Sequence, residues 1–332
     1  MGSWTLQVRT VGALAWRRVA GEEPPTGRRQ HYRIEGLEPE TRYEYRLLDP
    51  SDHILASGEL TTAPREGTGR VRFGVLGDSG DLPWWNYSAF SSGFDLAGWA
   101  KDLMPGRGSQ WRVIERICEW DADLVLHLGD LVYPWGRRQD FPEAFLLPFG
   151  RFLASHPVYP TIGNHDLMSE AGAPFDDHFV LPVPPGAGAR RYYAFVHGPV
   201  QFICLDAFSH ADPLSPGSDQ WRWLRRTLDA AAPTWRVVYL HRPLWSTSNT
   251  ARDDIATALR RELHPLLARA RVDLVLSGPD HLYQRFEPKD GVTYVIEGAG
   301  GRAYARWGGP RTSSRPTTST SAASWPRRTP RR

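Results

Sequence analysis

The chain is poor in several things, and each shortage excludes a class of protein. Two cysteines, Cys118 and Cys204, occur in 332 residues. That rules out a disulfide framework and a cysteine metal knuckle. Both sit in apolar patterns and read as buried thiols. No apolar run approaches the roughly 18 residues of a membrane-spanning helix. The opening MGSWTLQVRT has no basic segment followed by an apolar stretch, so no signal peptide is visible. No internal repeat is present, which sets aside solenoids and propellers. Residues 308–332 contain no acid at all, but six arginines.

That last shortage changes how the net charge of +3 is read. Without the six tail arginines the remainder sums to −3, so the basicity belongs to a low-complexity tail that cannot bury a core. Such a tail can touch nucleic acid or a membrane surface. Composition alone is a weak motif, and a solvated terminus with no specific nucleic-acid partner is the plainer reading.

What is present is ordinary globular material: 41% hydrophobic and 23% charged residues, enough for one large core and a small accessory domain. The first 65 residues favour short strands, LQVRT, HYRIEGL, TRYEYRLLD and ASGELTT, separated by turn residues. Within them LEPETRY, ending in Tyr43, resembles the tyrosine corner of a fibronectin-III-like sandwich, in which a hydroxyl ties a strand to the preceding turn. The segment is short for a whole sandwich, so an opening strand is expected to be missing.

From Val71 the texture alternates strand and helix, the pattern of a layered α/β domain. Strand-length runs are VRFGVL, ADLVLHL, PVYPTI, YYAFV, VQFICLD, WRVVYL, VDLVLS and TYVIE. Helical patterns include WRVIERICEW, DQWRWLRRTLDAA and ATALRRELHPLLARA. An aromatic-rich loop, residues 81–110, is expected to serve as a pocket lid.

The polar residues fall where these strands stop. VRFGVL runs into Gly77-Asp78, ADLVLHL into Gly129-Asp130-Leu131-Val132-Tyr133, and PVYPTI into Gly163-Asn164-His165-Asp166. WRVVYL ends at His241, and VDLVLS runs into Gly278-Pro279-Asp280-His281. Ligands of layered α/β folds bind at strand carboxyl ends. A set of carboxylate, amide and imidazole groups delivered there suits one or two hard-to-borderline cations.

In this order GDSG, GDLVY, GNHD, the LH of VVYLHRP and SGPDH resemble the five blocks of the calcineurin-like metallophosphoesterases. The GDLVY tyrosine and the preceding fibronectin-like segment narrow the resemblance to the purple acid phosphatases, across nearly all of residues 1–307. It implies a four-layer αββα sandwich at 66–307, preceded by a β-sandwich domain at 1–65 and followed by the tail. It further implies two metal ions. Asp78, Tyr133 and His281 would hold the first, Asp130 would bridge both, and Asn164 and His241 would hold the second. A Tyr133 phenolate favours Fe(III) in the first site, with Fe, Zn or Mn in the second. The substrate would be a small phosphomonoester, attacked in line by a metal-bound hydroxide. Asn164, His165 and Tyr283 would meet the substrate, with His165 as phosphoryl ligand or acid and Asp166 orienting it.

One block departs from the pattern. The family has Gly-His-x-His where this chain has Gly278-Pro279-Asp280-His281. Proline has no donor, so the second metal site is expected to be weak unless Asp280 or water fills the place. Two readings therefore stand: a metal-dependent phosphatase, and a catalytically degenerate relative that binds metal or phosphate or serves in interaction.

Overall fold

A computed structural model of the chain describes residues 4–19, 21–22, 31–80, 109–182, 184, 191–231, 233–248 and 254–301. The aromatic stretch 81–108 and the tail 308–332 lie outside the described residues.

The amino-terminal part forms a four-stranded antiparallel sheet in the order β2-β1-β5-β6. Its strands are β1 (Thr5–Thr10), β2 (Arg17–Val19), β5 (Arg42–Leu48) and β6 (Ile54–Thr61). A short pair, β3 (Gly21–Glu22) and β4 (His31–Tyr32), stands beside it. The Tyr43 hydroxyl accepts from the backbone N–H of Glu38 at 2.9 Å, so the ring ties β5 to the turn before it. Tyr45, two residues on, donates from its hydroxyl to the carbonyl of Ala154 at 2.6 Å and joins this sheet to the rest of the molecule.

The rest is built on two sheets. One is parallel and three-stranded: β7 (Phe73–Leu76), β8 (Leu124–His127) and β9 (Val158–Pro160). The other has six strands in the order β10-β11-β12-β13-β15-β14. They are β10 (Tyr193–His197), β11 (Val200–Cys204), β12 (Trp235–Leu240), β13 (Leu274–Ser277), β14 (Tyr283–Arg285) and β15 (Thr293–Glu297). Strands β11, β12, β13 and β15 run parallel, and β10 and β14 close the edges antiparallel.

Alternation along each strand explains the layering. Leu124 and Leu126 of β8 meet Phe202, Val237, Tyr239 and Leu276 in a core between the two sheets. Their neighbours of opposite parity face the helices: Val125 on one side, and Ile203, Val238 and Val275 on the other. Because both faces are covered, these strands are apolar throughout rather than alternating. Helices α1 (Ser109–Glu119), α2 (Leu147–Leu153) and α3 (Ala173–His178) supply the outer layer of the smaller sheet. Helices α4 (Asp219–Asp229) and α5 (Asp254–Arg269) supply that of the larger sheet. The side chain of Ser218 accepts from the Trp221 N–H and fixes where α4 starts. The result is helix, sheet, sheet, helix, four layers with an antiparallel sheet in front of them.

Candidate metal centre

The carboxyl ends of β7, β8, β9, β12 and β13 converge, and backbone bonds knit their loops. The Asp78 N–H donates to the Gly129 carbonyl, Tyr133 N–H to Gly80, and Gly278 N–H to His241. Asp78 and Asp130 each follow a glycine, and both lie in the left-handed region, at φ 57° and 56°. A non-glycine residue there is strained, and such strain gathers at functional sites. Gly163 shows how closely the backbone approaches. A Cβ on it would stand 2.1 Å from Oδ1 of Asp130, so no other residue fits.

Two groups of side chains meet across Asp130. On one side the Tyr133 hydroxyl donates toward Oδ1 of Asp78 at 2.5 Å, and His281 Nε2 lies 3.2 Å from both of those atoms. On the other side Nε2 of His241 lies 3.2 Å from Oδ1 of Asn164. Oδ2 of Asp130 stands between them, 2.8 Å from the Tyr133 hydroxyl and 3.6 Å from His241 Nε2. Asp78, Asp130 and His241 each bring one donor atom within 4.8 Å of the others, all buried.

The donor set fits cations on three grounds. First, Oδ2 of Asp78 is buried without a hydrogen-bond partner, a costly arrangement for a carboxylate. Secondly, the His241 ring donates from Nδ1 to the Leu128 carbonyl at 2.6 Å. In the neutral ring this aims the Nε2 lone pair at the Asn164 oxygen, so two lone pairs face one another where a shared cation would satisfy both. Thirdly, two buried carboxylates and a phenol crowd together, and burial, then Asp78 and Asp130, push the Tyr133 hydroxyl well above its ordinary range. A nearby cation reverses that logic. Burial alone would lower the pKa of His241, but the charges of Asp130 and Asp78 and the Leu128 carbonyl outweigh it and raise it.

His165 stands at the edge, its Nε2 4.0 Å from Oδ2 of Asp130. What holds its ring is the carbonyl of Pro134, which accepts from Nδ1 at 2.7 Å. Among the described residues no hydrogen bond joins Asp166 to the His165 ring, where an orienting bond was expected. Instead, the buried Asp166 carboxylate accepts backbone N–H bonds from Asp130, Leu131 and Gly163 at 2.9 Å and from Val132 at 3.3 Å. Burial and the charge of Asp130 raise its pKa to about 7 against that pull.

At the departing block, Pro279 is half-buried and Asp280 is buried. The Asp280 carboxylate takes a hydroxyl bond from Ser248 at 2.6 Å on Oδ1 and another from Ser246 on Oδ2. Both acceptor oxygens are thus occupied by the loop after β12, and Asp280 does not join the converging group. Tyr283 stands at the rim, 41% exposed, with no hydrogen bond to the cluster among the described residues.

Two neighbours were not singled out by sequence. His127, inside β8, lies with Nε2 2.8 Å from the hydroxyl of Ser79, the residue after Asp78. Burial holds the ring neutral and pushes its pKa down to about 3. Glu297, at the end of β15, is raised to about 7 by burial and by Asp78. The available signal was its position, since an acid at a parallel strand tip belongs to the same edge as the other site residues.

The chain has known relatives. The profile of the calcineurin-like phosphoesterases matches residues 71–283. Purple acid phosphatase 21 of Arabidopsis thaliana is 28% identical over 300 residues, covering 83% of this chain and 59% of that protein. The human tartrate-resistant acid phosphatase type 5 is 30% identical over 275 residues, covering 74% and 78%. Among solved structures, purple acid phosphatase PPD1 from yellow lupin (Lupinus luteus) seeds superposes with a TM-score of 0.74 at 18% identity, covering 93% of this chain and 62% of that one. The chain spans about three-fifths of the length of the plant relatives, 59%, 62% and 58% for the first three.

Proposed function

The chain belongs to the calcineurin-like phosphoesterase family, as a purple acid phosphatase-like member, and from that premise we propose that it is a metal-dependent phosphatase acting on small phosphomonoesters. The observation that carries this reading is the buried convergence of Asp78, Asp130 and His241, with one Asp78 oxygen unpartnered.

In this reading Asp78, Tyr133 and His281 hold one ion, Asn164 and His241 hold the other, and Asp130 serves both. When bound, the ions neutralise the phosphoryl oxygens and supply a nucleophile from water near neutral pH. The chain's own residues do the rest. Asn164 and His165 meet the phosphoryl oxygens. The His165 ring, anchored at Nδ1 by the Pro134 carbonyl, presents Nε2 to the leaving oxygen and can give it a proton. Asp166 keeps the loops of Asp130 and His165 in register. A Tyr133 phenolate, a hard anionic donor, favours Fe(III) in the first position. Pro279 leaves the second position one nitrogen short and therefore the weaker of the two.

The full chain should hydrolyse a chromogenic phosphomonoester when Fe, Zn or Mn is supplied, and Asp130→Asn should abolish this. Iron loading should give a visible charge-transfer band that Tyr133→Phe removes; a colourless iron-loaded protein would refute the tyrosinate. The second reading, a binding relative without turnover, is favoured by Pro279 alone. Metal-loaded protein without hydrolysis, restored by neither added metal nor Pro279→His, would select it.

A further inference from the structure

The opposite end of β12 holds a second concentration of charge. Arg236 and His241 are five residues apart on an extended strand, about 17 Å at roughly 3.3 Å per residue. Around Arg236 opens a cavity of about 620 Å³, walled by the carboxyl-terminal ends of α4 and α5 and lined by Leu228 and Leu266 among others. A cavity of about 370 Å³ adjoins it and shares Arg225, Leu266 and Arg269.

Arginines at helix carboxyl ends have a structural explanation that must be met first. Each such end carries about half a negative charge and several unmet carbonyls. Here Arg236 meets both ends. It donates to the carbonyl of Ala230, after α4, at 2.5 Å and to that of Ala270, after α5, at 3.1 Å, while Nε is held by Gln201 at 3.0 Å. The two dipoles are thereby offset by one fixed guanidinium. The larger cavity is nonetheless lined by three more, Arg225, Arg269 and Arg271, against the single acid Asp229. Arg225 and Arg269 have no hydrogen bond or ion pair among the described residues. In the adjoining cavity Arg261 is matched by Glu262 at 2.7 Å and adds no surplus.

We propose that this groove binds a small anion carrying two or more phosphate groups, at a place separate from the metal centre. Guanidinium forks match phosphate oxygens bidentately. The combined space falls within the usual range for a small ligand, roughly 300–1,000 Å³. A concave patch with two unengaged arginines and an acid in its wall is too small and too curved to track a nucleic-acid backbone, whose binding needs many phosphate contacts.

Calorimetric titration of tripolyphosphate into the full chain tests this, alongside Asp130→Asn and Arg225→Ala/Arg269→Ala. Asp130→Asn should retain the binding event, and the double alanine variant should weaken it at least about tenfold, which is about 1.4 kcal/mol. Added salt should weaken it further. Melting curves check that the variants fold, and Arg225→Gln alone should give an intermediate loss. Binding that disappears in Asp130→Asn, or is unchanged in the double variant, would overturn the proposal. So would no binding at all, or duplex DNA bound as tightly as tripolyphosphate.

Discussion

The two halves of the candidate centre are held by different means. The half delivered by β7, β8 and β9 carries the carboxylates and the phenol on loops that have little freedom. Four backbone N–H groups converge on Asp166, and Gly163 leaves no room for a Cβ beside Asp130. The half delivered by β12 and β13 carries His241 and His281. There His241 is fully buried and anchored by a carbonyl, but the His281 side chain is 27% exposed. The turn before it has backbone bonds of its own, from the Gly278 N–H to His241 and from the Asp280 N–H to Gly278, but its side-chain ties are two serine hydroxyls on Asp280. Bonds to buried N–H groups are expensive to lose, whereas water can replace a hydroxyl donated by a partly exposed serine more readily. The departure from the family pattern, Pro279, falls in the less constrained half.

Three experiments sharpen or break this contrast. Asp166→Ala leaves four buried donors unmet, and at about 1 kcal/mol or more for each the loss should be about 4 kcal/mol. Asp280→Ala should cost no more than about 1–2 kcal/mol. Chemical denaturation of both variants checks this, and equal losses would mean the two halves are equally constrained. Pro279→His adds a nitrogen to the slack half and should raise affinity for the second ion about 10–100-fold, read by metal analysis against a competing chelator. No change there would show that the turn, not the missing donor, limits the site. The last experiment concerns His127, whose pKa in the fold is about 3 against an ordinary 6.5. Its contribution to stability is complete above about pH 6.5 and is lost as pH falls below it, because the unfolded chain takes up a proton that the fold refuses. His127→Gln should therefore gain about 1.4 kcal/mol per pH unit relative to the parent between pH 6.5 and 4.5. Parallel curves for the two proteins would remove His127 from the account.

Much of this was legible in the sequence. Glycine followed by a carboxylate after an apolar run located Asp78 and Asp130 at strand tips, and the alternation of strands and helices gave the layers. Tyr43 read as a hydroxyl tie through the resemblance of LEPETRY to a tyrosine corner. What was illegible depended on direction. Nothing in GNHD says that Asp166 turns back to gather N–H groups from another strand's loop instead of facing His165. Nothing in GPDH says that Asp280 turns to the serines after β12, since both partners lie more than thirty residues away. Single β-strand residues such as Glu297 carry no local mark of what stands opposite them, because packing between distant strands supplies it.

The Asp166 carboxylate has a consequence for how this protein can be altered. It fastens the turn at 129–132 to the turn at 163–166, two segments far apart along the chain. The donors are backbone N–H groups, which every residue but proline supplies, so the fastening depends on the one carboxylate. A replacement turn at 163–166 should therefore hold its distant neighbour only if it brings a carboxylate at this position, whereas the turn at 129–132 can change its side chains as long as its N–H groups stay in place.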